Sequence, residues 1–148
     1  MTPALLADPT MRLFAIVALV LVLKMALTGF YTSSIRIRRR VYATPEDYAF
    51  QGIAAKGAPD ADVERVRRAH QNDLENILPF LPVGFFFALI HPPYLAAEIL
   101  MIAFAVGRIL HTIFYVRSMQ PHRTIAFTVA NVASGIMLVW TLVALVRM

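Results

Sequence analysis

Arg68, Asn72 and Glu75 stand at i, i+4 and i+7, just ahead of a segment that turns almost wholly apolar, LPFLPVGFFFALI. That spacing places a cation, an amide and a carboxylate on one helix face. Lipid offers such groups no hydrogen bonds, so each needs a partner in protein, water or ligand. Arg108, His111 and Tyr115 make a second stripe at i, i+3 and i+7. Arg123 and Thr124 open the last apolar segment, and a cation at the positive end of a helix dipole calls for an anion. Taken together, these groups suit a small, anionic, polyfunctional molecule. The structural alternative is that they tie helices together, with Arg108 paired to Glu75. Both readings can hold at once.

The elements that must carry these residues read as four helical spans, roughly 10–35, 62–90, 94–117 and 124–146, in a single domain over 1–148. Residues 13–23, LFAIVALVLVL, are continuously apolar, and with their flanks they are long enough to cross about 30 Å of hydrocarbon. Lys24 interrupts the run, and its amine can reach polar groups inside the bundle. The apolar stretch continues past Lys24 without a small-residue cleavage pattern, so the segment reads as a retained span rather than a signal peptide. Pro79 and Pro82 should bend or loosen the second span, and HPPY at 91–94 is a stop and turn. In the long connection, Thr44 can cap a short helix begun by Pro45 and Glu46, while Gly52, Gly57 and Pro59 prevent one continuous helix. Asp60 or Asp62 can cap the second span.

Basic residues mark one end of the bundle: Arg36, Arg38, Arg39, Arg40, Lys56, Arg65, Arg67, Arg68, Arg117 and Arg123. The opposite end holds only Arg12 and Arg147, so the positive-inside rule puts the basic end in the cytoplasm and both termini across the membrane. The formal charge of +5 does not point to nucleic acid, because the cations sit at membrane boundaries and no nucleic-acid-binding motif is present. Arg38, Arg39 and Arg40 read as anchors for anionic lipid. There is no cysteine, hence no disulfide, cysteine nucleophile or thiolate metal site. The histidines at 70, 91, 111 and 122 form no HxH or HExxH spacing, so no metal centre is expected. Any thiol chemistry must come with the substrate.

The segments RIRRRVYATPED, ERVRRAHQNDLENILPF and VGRILHTIFY together closely resemble the membrane-associated proteins in eicosanoid and glutathione metabolism, with the prostaglandin synthase branch nearest and the glutathione transferase branch behind. The likeness covers nearly the whole chain. It implies an all-α homotrimer of four-helix subunits with glutathione bound between neighbours, on the cytoplasmic side. Glutathione carries two carboxylates and an ammonium, which suit the arginine forks and Glu75, and Asn72 can bind its peptide backbone. The resemblance assigns glutathione binding to Arg36, Arg68, Asn72, Glu75, His111, Tyr115 and Arg123, with Arg123 and Thr124 acting on the thiol and Arg108 supporting the polar cluster. Asp47 matches a family residue beside the catalytic region.

Three positions depart from the synthase pattern. Gln71 stands where an arginine helps hold glutathione, Thr124 replaces a serine but keeps a donor, and Phe127 replaces a tyrosine and loses its hydroxyl. The expected activity is a glutathione-dependent transferase or peroxidase that acts on lipophilic electrophiles arriving from the membrane, through a stabilised thiolate. A prostaglandin-endoperoxide isomerase is the enzymatic alternative, and a noncatalytic lipid-binding scaffold is the alternative of a different class. A short chain with a compact cytoplasmic face and no organelle signal fits a bacterial inner membrane, with periplasmic termini.

Overall fold

A computed structural model describes residues 4–54 and 60–148. Lys56, Gly57 and Pro59 of the long connection lie outside these. Six helices follow in order: α1 Ala4–Ala7, α2 Pro9–Arg39, α3 Pro45–Phe50, α4 Ala61–Leu89, α5 Tyr94–Val116 and α6 His122–Val146. The fold is all-α, with four long helices, and among the described residues there is no strand.

Local chemistry sets the helix ends. Asp8 caps α2 by accepting the Met11 N–H at 2.8 Å, with Pro9 in the first turn. The helix ends at Arg40, whose φ of 51° is left-handed, after a last turn carrying Arg36, Arg38 and Arg39 at the negative dipole end. Asp60 caps α4 by accepting the N–H groups of Asp62 and Val63 at 3.1 and 3.2 Å. Thr44 precedes α3, and its own N–H is taken by the Asp47 carboxylate at 3.3 Å. Helix α4 runs unbroken through Pro79 and Pro82.

Close packing joins α2 to α4 and α5 to α6, and the two pairs close on each other. Two glycines permit the closest approaches. A Cβ on Gly84 would lie 2.8 Å from the Phe14 ring, and one on Gly107 would lie 2.9 Å from the Ala126 carbonyl oxygen. The centre of the bundle is apolar: Phe80 stacks on Phe104 with centroids 4.0 Å apart, among the fully buried Leu21, Ile77, Met101 and Met137.

The outside is equally apolar. Leu19, Leu23, Leu27 and Phe30 on α2, and Val139 and Leu142 on α6, are more than half exposed. So much exposed apolar surface is costly in water and favourable in lipid. Helices α2, α5 and α6 are long and apolar enough to cross a bilayer, so the chain is an integral membrane protein. Helix α4 is the polar exception, and it carries most of the candidate chemistry.

Candidate functional site

The buried face of α4 is the repeat Val63, Val66, Ala69, Asp73, Ile77, Phe80, Gly84 and Phe87. A carboxylate therefore sits in the middle of an otherwise apolar stripe, with Asp73 fully buried. Its compensation comes from two other helices. Lys24 of α2 and Arg108 of α5 both form ion pairs with Asp73 Oδ1, the latter at 2.9 Å, and Thr112 Oγ1 lies 3.3 Å from both carboxylate oxygens. Lys24 also donates to Thr112. Arg108 is fully buried, and its Nη2 reaches Asn72 twice, donating to Oδ1 at 2.8 Å and to the backbone carbonyl at 3.1 Å.

This arrangement corrects the sequence reading. Arg108 pairs with Asp73, whereas Glu75, two residues and about 200° further round the helix, is exposed and accepts from the Gln71 amide at 3.1 Å. Asp73 and Thr112 were missed as members of the polar cluster. The signal was present: Lys24 and Arg108 each interrupt an apolar run and each needs a buried acid. Position 73 is the acidic position in register with the apolar stripe at 66, 69, 77 and 80.

Above this cluster, toward the basic end, a cleft of about 480 Å³ opens between the start of α4, the end of α5 and the start of α6. Its walls include Arg65, Arg68, Tyr115, Gln120 and Arg123. Arg65 is already paired with Asp62 at 3.0 Å, but among the described residues neither Arg68 nor Arg123 forms an ion pair. The Arg123 guanidinium lies 4.6 Å above the Tyr115 ring. The Gln120 amide holds its edge: the oxygen accepts from Arg123 Nε at 3.1 Å while the nitrogen donates to Thr124 Oγ1 at 3.0 Å. His111 is buried behind Tyr115, with ring centroids 5.5 Å apart, and Phe127 closes the back of His111 at 5.7 Å. The His111 Nδ1 and the Arg108 Nε and Nη1 are buried without hydrogen-bond partners.

One chain thus brings Arg68, Tyr115 and Arg123 to a common cleft, with Thr124 tied to its Gln120 wall and Asn72 one turn below Arg68. It does not bring Arg36 there. Arg36 lines a separate groove of about 590 Å³ between α2 and α4, with Arg67, His70 and Leu74, and its buried Nε has no partner. Asp47 is exposed on α3, serving as that helix's cap partner. Among the described residues no group of histidines and carboxylates could hold a metal ion.

What the cleft can do follows from its charge. Two unpaired guanidiniums, one fixed over an aromatic face, hold anionic groups in a volume within the usual range of about 300–1,000 Å³ for small-molecule sites. Glutathione fits that chemistry: a carboxylate matches one guanidinium, and the sulfur, once ionised, matches the other.

A family model described as MAPEG family matches residues 14–143. The chain is 33% identical to prostaglandin E synthase of Canis lupus familiaris, over 93% of this chain and 92% of the relative. It is 35% identical to prostaglandin E synthase of Homo sapiens, over 85% and 84%. With microsomal glutathione S-transferase 1 of Homo sapiens the identity is 42%, over 82% of both chains. These relatives are mammalian and lend no support to a bacterial source.

Proposed function

The chain belongs to the MAPEG family, and on that premise we propose that it is a membrane-embedded glutathione-dependent enzyme that isomerises a lipid endoperoxide of the prostaglandin type. Family membership and the named relatives support enzymatic activity in general. The canine and human relatives named prostaglandin E synthase cover 93% and 85% of this chain, against 82% for the glutathione S-transferase, which favours isomerisation over the transferase or peroxidase reading. The observation that carries the glutathione assignment is the pair of unpaired guanidiniums, Arg68 and Arg123, facing one cleft beside Tyr115.

Glutathione, when bound, supplies the reacting thiol. Arg68 binds an anionic end of the ligand. Arg123, held by the Tyr115 ring and the Gln120 amide, presents its positive charge where negative charge at sulfur is stabilised. Thr124 Oγ1 accepts from Gln120, so its O–H is left to donate to the same place. Among the described residues Glu75 has only the Gln71 amide as partner, which leaves it able to accept from an ammonium.

We also assign four membrane crossings, with α4 as the fourth, the basic end in the cytoplasm, and a homotrimer. Support for the assembly comes from Arg36: it stands outside the Arg68–Arg123 cleft of its own chain, on an exposed groove of α2 and α4, where a neighbouring cleft can use it. The surrounding lipid then delivers the second substrate laterally.

Conjugation or peroxide reduction is the second reading, favoured by the 42% identity to a glutathione S-transferase. Product analysis separates the two. Purified protein given glutathione and a prostaglandin endoperoxide should form the isomerised product without consuming glutathione. Net glutathione consumption with an aryl halide or lipid hydroperoxide, and no isomer, would establish the second reading. Glutathione binding without turnover on any of these would leave a noncatalytic lipid-binding scaffold.

A further inference from the structure

The fully buried Asp73 does not reach the cleft, yet it is linked to Asn72, which lies one helical turn below Arg68 of the cleft wall. Arg108 Nη2 bonds Asp73 Oδ1 at 2.9 Å and Asn72 Oδ1 at 2.8 Å. A guanidinium has donors and no acceptor, so the atom of the Asn72 amide that faces Arg108 must be the oxygen. The amide nitrogen, on the same planar group, must then point away from Arg108. Asn72 is partly exposed, so this outward NH2 is available on the face that also carries Arg68 and Glu75.

Arg108 can perform that task only while its charge is matched. It has no surface of its own, and its single carboxylate partner among the described residues is Asp73. Asp73 is fixed in turn by Lys24 from α2 and Thr112 from α5. Three helices therefore converge on one carboxylate, and that carboxylate sets the direction of one amide.

We propose that Asp73, acting through Arg108, is a positioning residue that locks Asn72 as a donor-only contact for a carbonyl or carboxylate oxygen of the bound peptide. The assignment deepens the glutathione reading and rests on it. Lys24 and Thr112 hold the carboxylate in place. None of these groups touches the ligand, and the effect of losing them is transmitted through Asn72.

A double-mutant cycle on the full-length protein in detergent tests this, with glutathione affinity read by calorimetry. Asp73→Asn keeps the shape but removes the charge that holds Arg108, and should weaken glutathione binding about tenfold. In an Asn72→Ala background the same change should matter less than about twofold, because the amide it orients is gone. Asn72→Asp is the complementary variant: it keeps an acceptor for Arg108 and so preserves the fold, but it removes the donor, and should bind as weakly as Asn72→Ala. Should Asp73→Asn fail to yield folded protein, Arg108→Lys, which keeps the charge and loses the fork, takes its place in the cycle. Equal effects of Asp73→Asn in both backgrounds, or wild-type affinity in Asn72→Asp, would overturn the proposal. A wild-type protein that binds no glutathione would overturn the functional reading itself, and the proposal with it.

Discussion

Arg123 concentrates the chemistry of this chain at the scale of single residues. Its guanidinium is fixed on two sides, by the Tyr115 ring and the Gln120 amide, and it has no carboxylate to neutralise it among the described residues. A fixed, unneutralised cation is suited to stabilising charge that develops during reaction rather than to general adhesion. Arg123→Ala should therefore lower the single-turnover rate by about 10²–10³ while changing glutathione affinity much less. Rapid-quench kinetics at saturating glutathione checks it, and an unchanged rate removes Arg123 from the chemistry. Glu75 should behave in the opposite way. It is exposed and, among the described residues, held only by Gln71, so Glu75→Ala should raise the KM for glutathione and leave kcat nearly unchanged.

The same scale shows where the sequence could be read and where it could not. Arg68 and Tyr115 could be assigned to helix faces by spacing, but their grouping with Arg123 was implied only by the family resemblance, because spacing within one helix does not say which helices meet. Asp73 was harder, because an acid beside Asn72 and Glu75 looks like one more polar residue until the register of the apolar stripe is followed through it. Arg36 could be located but not paired, since one chain's periodicity contains no information about which groove a neighbour fills.

At the scale of elements, the helix ends were legible because their signals are local. Asp60, Thr44 and the HPP turn each act on backbone groups within four residues. The close approach of α5 to α6 was not legible, because it depends on what faces Gly107. A Cβ there would meet the Ala126 carbonyl oxygen at 2.9 Å and Ala130 at 3.0 Å, and backbone yields poorly. Gly107→Ala should thus cost about 1–3 kcal/mol by forcing the pair apart, which would also shift Arg123 relative to Tyr115. Thermal unfolding in detergent provides the measurement, and a wild-type melting temperature would contradict the packing account.

The α2 cap adds a pH-dependent element. The Met11 N–H, with a lesser contribution from His91 at 3.2 Å, holds the Asp8 carboxyl below the usual carboxylate range. A depressed folded-state value means the cap stabilises above the unfolded carboxyl's titration and fades as pH falls through the folded one. Asp8→Ala should be less stable than wild type at neutral pH, and the gap should shrink as the solution is taken below about pH 4.

For the whole molecule, the apolar outer faces of α2 and α6 explain why the chain lives in lipid, but the polar half of α4 needs more than lipid. One side of that half is met by the Lys24–Asp73–Arg108 cluster, which costs the bundle three desolvated charges and returns a fixed relation among α2, α4 and α5. The other side, with His70 at the groove it shares with Arg36 of α2 and Arg68 at the other cleft, offers polar surface to partners outside the chain. Native mass spectrometry in detergent should accordingly show trimers carrying up to one glutathione per chain, and monomers that bind glutathione fully would argue against a shared site.

The most direct measurement is a structure of the protein with glutathione bound in its native assembly. The account predicts the peptide in the Arg68–Tyr115–Arg123 cleft of one chain, its sulfur beside Arg123 and Thr124, the Asn72 amide nitrogen donating to it, and Arg36 arriving from a neighbour. Glutathione enclosed by a single chain, or bound away from Arg68 and Arg123, would contradict it.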